Sequence, residues 1–118
     1  MKKKKQIYCF DLDNTICNTN KNFYRQSKPK IKVIKLINLL YDKGFFIKIF
    51  TSRYMGRNEE NAQLAKKQGK NFTKNQLKKW KVKYHKLIMG KPSYDILIDD
   101  KSLGFKKNWH IELLKKFS

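Results

Sequence analysis

Two aspartates two residues apart, Asp11 and Asp13 in "YCFDLDNTIC" (8–17), follow directly on an apolar run, and a second acidic pair, Asp99 and Asp100, closes "YDILIDD" (94–100). At positions i and i+2 of an extended segment, Asp11 and Asp13 face the same side and Leu12 faces away. Carboxylates gathered in one place raise one another's pKa unless something positive sits between them. A hard divalent cation held through oxygen removes that cost, and Mg²⁺ suits it, because it accepts a few carboxylates, keeps waters and leaves room for a phosphate. Asp11, Asp13, Asp99 and Asp100 are the candidate metal ligands, and the lack of a Cys or His cluster beside them points away from zinc. Taken singly, Asp13-Asn14-Thr15 reads as a turn and Asp99-Asp100-Lys101-Ser102 as a cap. Chemistry requires that these segments meet.

The elements that would bring them together follow from pattern. "QIYCFD" (6–11) predicts a buried strand, and the polar stretch 14–28 a loop. From Pro29 onward, apolar residues at 33, 36, 37, 40 and 41 have helical spacing, with Gly44 just past the end. "FFIKIF" (45–50) predicts a second strand, stopped at Thr51-Ser52-Arg53. A helix over about 58–68 ended by Gly69, and another over 73–82 capped by Thr73, precede a third strand at 84–89, a fourth at 94–99 and a closing helix over 108–117. Strands alternating with helices imply one α/β domain over residues 1–118, a Rossmann-like three-layer sandwich with a mainly parallel sheet. Such sheets bind ligands beyond the C-terminal ends of their strands. Strand one ends at Asp11 to Asp13, strand two at Thr51 to Arg53 and strand four at Asp99-Asp100, so the conspicuous polar groups share one edge.

Composition limits the partners. The chain is 40% hydrophobic and 14% aromatic, which suits a folded core. No apolar run approaches the roughly 20 residues of a membrane span, and the acidic turn after "MKKKK" leaves no signal-peptide core, so a cytoplasmic location is expected. Cys9 and Cys17 lack metal spacing and are expected as free thiols. A net charge of +20 invites a polyanion partner, yet it comes from 26 Lys and 3 Arg beside 10 Asn and 11 Ile, the signature of A/T-rich codons. The lysines are spread along the chain, so the expectation is weak nucleic-acid binding through charge alone. Arg53 and Arg57, in the loop "SRYMGRN" (52–58) that also holds Ser52, are candidates for a second anionic group of a substrate, or for pairing with Glu59 or Glu60. His85 and His110 are expected in structural roles.

"DLDNT" (11–15), Thr51 after an apolar strand, Lys91 in "GKP" and "IDD" (98–100) resemble, in order, the four motifs of the haloacid dehalogenase superfamily. The resemblance runs from about residue 6 to 104, and 81–105 looks most like small phosphatases of capsule and surface-sugar biosynthesis. It implies a phosphatase in which Asp11 is the nucleophile, Asp13 the general acid and base, Thr51 a ligand of the phosphoryl oxygens and Lys91 the neutralising cation. It also implies Mg²⁺ held by Asp11, Asp99 and the main-chain carbonyl of Asp13, with Asp100 either in that shell through water or holding Lys91. The gaps between motifs leave no room for a large cap. A capless site implies either large substrates or a lid borrowed by self-association, for which Phe23, Tyr24, Tyr54 and Met55 are apolar candidates. The expected substrate is a small sugar phosphate or related metabolite. The rival readings are a polynucleotide 3′-phosphatase or nucleotide phosphatase, and a catalytically idle polyanion-binding fold.

Overall fold

The structure, a computed structural model, describes residues 6–92, 96, 100–101 and 109–117. Strand β1 (Ile7–Asp11) runs to the first aspartate, and a two-stranded antiparallel flap follows, made of β2 (Cys17–Asn18) and β3 (Lys28–Pro29). Helix α1 (Ile31–Asp42) leads to strand β4 (Phe46–Thr51), and helix α2 (Ala62–Lys79) to strand β5 (Lys86–Met89). Helix α3 (Trp109–Lys116) closes the described chain. The sheet is parallel with order β1-β4-β5, its register pairing Asp11 with Phe50 and Thr51 with Met89. This is the expected α/β architecture. The predicted fourth strand, 94–99, lies outside the described residues apart from the exposed Ile96.

Helix α1 buries Val33, Leu36, Ile37 and Leu40 of the predicted stripe, with Ile34 added and Tyr41 partly buried against the core. Ile37 and Leu40 are fully buried, each worth roughly 1.5–3 kcal/mol over exposure. The helix ends because Gly44 takes φ 92°, which lets Phe45 N–H reach the Leu40 carbonyl and Gly44 N–H the Tyr41 carbonyl. Beside it, β4 turns Ile47, Ile49 and Thr51 inward, and His85 donates from its main chain to the Ile47 carbonyl while its Nδ1 accepts from Ile47 N–H.

Two predicted elements differ. The 14–28 stretch is the flap rather than a plain loop; its strands are two residues each, too short to leave a period in the sequence. Residues 62–79 are one helix, not two. Asn61 caps it by accepting from Gln63 and Leu64 N–H, and Thr73 is buried inside it rather than at a start. Gly69 does not stop it either. A Cβ there would overlap Cδ2 and Cε2 of the Tyr54 ring, so the glycine makes room for the loop after β4.

Candidate active site

Asp11 ends β1 with its side chain 37% exposed, and Lys91 Nζ stands 3.2 Å from its Oδ1. Lys91 reaches that place because its main-chain N–H donates to the Thr51 carbonyl at 3.0 Å, carrying the β4–β5 pairing beyond Met89. Between them Gly90 takes φ 98°, and a Cβ on it would stand 2.8 Å from Ala62 Cβ, so only glycine fits the bend. Burial pushes the Asp11 carboxyl above its usual range; the ion pair and hydrogen bond from Lys91 oppose that shift, and the charge of Asp13 adds to it.

Asp13 is held quite differently. Its Oδ1 accepts from Arg53 Nη2 at 2.9 Å, from Arg53 Nε at 3.2 Å and from the Thr19 hydroxyl at 2.6 Å, while Oδ2 accepts from Arg53 Nε at 3.0 Å. The loop that precedes the flap makes this possible. The Leu12 carbonyl accepts from Ile16 N–H at 2.8 Å, and Asn14 at φ 64° turns the chain so that its own Oδ1 accepts from Thr19 N–H. Thr19 shares a 2.6 Å hydrogen bond with Ser27 across the flap. Behind Asp13, the buried Arg53 side chain donates from Nη1 to Gln76 Oε1 at 2.7 Å and lies over the Tyr24 ring at 4.8 Å. Gln76 then donates to the Tyr24 carbonyl at 2.8 Å. Flap, post-β4 loop and α2 are thus joined through one guanidinium.

Thr51 ends β4, with main-chain or side-chain contacts to both Lys91 and Arg53. It is buried, its hydroxyl accepts from Arg53 N–H at 3.1 Å, and its own proton is unspent among the described residues. Such a proton suits an anionic oxygen beyond the strand end.

No family model matches the chain, and no curated protein matches it in sequence. Among solved structures it resembles the crystal structure of a target protein from Vibrio cholerae, with a TM-score of 0.77 at 25% identity over 96% of this chain and 99% of that one. That likeness spans the whole fold.

Asp11, Asp13, Thr51, Arg53 and Lys91 therefore converge at the C-terminal ends of three neighbouring strands. Ser52 is half-buried, its carbonyl accepting from Met55 N–H, and Arg57 is exposed with its guanidinium 4.5 Å from the Tyr54 ring centroid. Arg53 departs from the expectation that it meets substrate: at 1% exposure it faces Asp13 instead. Among the lid candidates, Met55 is buried and the Tyr24 and Tyr54 rings pack on each other at 5.1 Å, which leaves Phe23 as the exposed one. Asp99 lies outside the described residues, and Asp100 is exposed in a turn. Among the described residues no three His, Cys, Asp or Glu side chains group closely enough for a metal ion. The donors that are described are hard oxygens, with a desolvated carboxylate at Asp11, and so fit a cation such as Mg²⁺. The Asp13 carboxylate, expected among the metal ligands, is instead taken up by Arg53 and Thr19. No helix among the described residues is long and apolar enough to cross a membrane.

Thr19 and Ser27 carry no mark in the sequence, and Tyr24 reads there as a lid candidate, not as a neighbour of Arg53. Thr19, Tyr24 and Ser27 lie in a stretch that reads as loop, where nothing ranks one hydroxyl over another. Gln76 carried a faint signal, a polar residue between Thr73 and Leu77 on the inward stripe of a helix.

Proposed function

We propose that this chain is a Mg²⁺-dependent phosphomonoester phosphatase of the haloacid dehalogenase type, without a large cap, acting on a small sugar phosphate or related metabolite. The observation that carries the reading is the contrast at the strand ends: among the described residues Asp11 has one charged partner, Lys91 at 3.2 Å, while Asp13 two residues on is clamped by Arg53 and Thr19. A nucleophile must be free to approach phosphorus, whereas an acid must be held where the leaving oxygen departs.

An Asp11 carboxylate oxygen attacks phosphorus, forming the aspartyl-phosphate as the bond to the leaving oxygen breaks. Asp13 gives that oxygen a proton. With three nitrogen or hydroxyl donors on Oδ1 and one on Oδ2, Oδ2 is the oxygen left to carry it. Asp13 then takes a proton from the water that attacks the phosphoryl group, releasing phosphate and restoring Asp11. Lys91 offsets charge on Asp11 and the phosphoryl oxygens, and the Thr51 proton binds one of those oxygens. Mg²⁺, held by Asp11, the Asp13 carbonyl and Asp99 with Asp100 nearby, would screen the carboxylates from the phosphate and polarise it.

A screen of phosphate release from sugar phosphates, nucleotides and 3′-phosphorylated oligonucleotides, with Mg²⁺ and with chelator, tests the reading. Release that needs Mg²⁺ and is fastest from sugar phosphates is expected. Equal release in chelator contradicts the metal, and release from oligonucleotide ends alone contradicts the substrate class. The lysines exposed on α1, α2, β5 and α3 support weak, salt-sensitive nucleic-acid binding only.

A further inference from the structure

An open cleft of about 390 Å³ lies beside the flap, lined by Asn14, Asn18, Thr19, Asn20, Gln26 and Lys28. Its volume falls in the range of small-molecule sites, roughly 300–1,000 Å³. We propose that it is the subsite for the leaving group, and that it takes a polyhydroxylated, non-aromatic one. This rests on the reading of Asp13 as the acid.

Position is the first argument. Thr19 forms part of the cleft wall and its hydroxyl is 2.6 Å from Asp13 Oδ1, while Asn14 is the next residue after Asp13. A group in the cleft is therefore one side chain away from the Asp13 carboxyl. Chemistry is the second. Four carboxamides and a hydroxyl line the space, and a carboxamide offers a donor and an acceptor side by side, matching neighbouring hydroxyls of a sugar. The Asn14 acceptor is spent on Thr19 N–H, but the side chains of Asn18, Asn20 and Gln26 make no hydrogen bond to a described residue. Unspent amides stay solvated until a ligand replaces their water. No lining residue is aromatic, so nothing there stacks a ring. Lys28, on β3, adds one positive charge at the rim.

The test uses the full-length Asp11→Asn protein with Mg²⁺, ¹⁵N-labelled, observing the side-chain amide signals of Asn18, Asn20 and Gln26. The probes are glucose 6-phosphate, mannose 6-phosphate, ribose 5-phosphate, phenyl phosphate and inorganic phosphate. At least one sugar phosphate should move these signals, and phenyl phosphate and inorganic phosphate should not. Asn20→Ala with Gln26→Ala should weaken that sugar phosphate roughly tenfold, the loss of one or two hydrogen bonds. Signals that no sugar phosphate moves, or that phenyl phosphate moves equally, overturn the subsite. Phosphate release by the wild-type protein is read separately. Turnover without amide shifts sinks the subsite alone, and amide shifts without turnover sink the phosphatase reading alone.

Discussion

Asp11 and Asp13 are two residues apart and live in opposite surroundings. Around Asp13 every neighbour is committed: Arg53 binds both carboxylate oxygens, Thr19 and Ser27 tie it to the flap, and Gln76 ties Arg53 to α2 and Tyr24. Around Asp11 the described residues supply one cation, Lys91, and a main-chain hydrogen bond from Leu12, and burial outweighs them, leaving the carboxyl harder to ionise than an ordinary aspartate. The fold thus spends its polar contacts on orientation at Asp13 and, among the described residues, leaves Asp11 with few. An under-satisfied carboxylate is what a metal ion and an incoming phosphoryl group would complete.

The largest effect expected from breaking this contrast is at Asp11. Asp11→Asn should reduce phosphate release below detection with the fold intact by circular dichroism, because an amide cannot form the acyl-phosphate. Asp13→Asn should cost about 10²–10⁴-fold in turnover through lost proton transfer. Near-wild-type turnover of either variant would remove its assigned role.

Next in size is Gln76, a positioning residue that acts through Arg53. Gln76→Ala should lower kcat about tenfold, one to two hydrogen bonds' worth of orientation, with little change in KM. Gln76→Glu sets a second carboxylate beside the same guanidinium, in competition with Asp13, and should displace the pH profile of kcat relative to Gln76→Ala. If both variants share the wild-type profile, Gln76 supports the helix and not the acid.

Gly69→Ala probes the wall that carries this network. Overlap with the Tyr54 ring should destabilise the fold by roughly 1–3 kcal/mol, seen as a lower Tm. A Tm that rises, as it should for an exposed glycine inside a helix, would refute the close packing.

The smallest effect concerns stability against pH in chelator. The folded chain holds the Asp11 proton to higher pH than the unfolded chain, so this contribution is present at acid pH and is lost as pH rises through and above the ordinary carboxylate range. Lys91 and solvent at this half-exposed side chain keep the effect small. Asp11→Asn should therefore lose less Tm than the wild type between acid and neutral pH; identical slopes would contradict the shift.

How legible each region was follows from what sets it. The Asp11 side was readable, because an apolar strand running into Asp-x-Asp, a Thr at a strand end and a Gly-Lys are local patterns that sheet topology brings together. Gly90 at positive φ is such a pattern, and so is the stripe 33, 36, 37, 40. The Asp13 side was not. Arg53 looked like a partner for a substrate anion, or for Glu59 or Glu60, because an arginine is conspicuous in a lysine-rich chain; its partners Thr73 and Gln76 lie 20 and 23 residues away. Gly69 looked like a stop because its reason, the Tyr54 ring, is a tertiary contact. The flap's strands are held by each other and by Thr19 and Ser27, with no periodicity to betray them.

In the proposed reaction Asp11, and not Asp13, takes the phosphoryl group. Wild-type protein turning over a sugar phosphate with Mg²⁺ can be quenched and treated with borohydride, which reduces an aspartyl-phosphate to homoserine, and the modified residue located by mass spectrometry. Homoserine at position 11 and none at 13 is the predicted result. Steady phosphate release with no label at position 11, or with the label at position 13, would contradict it.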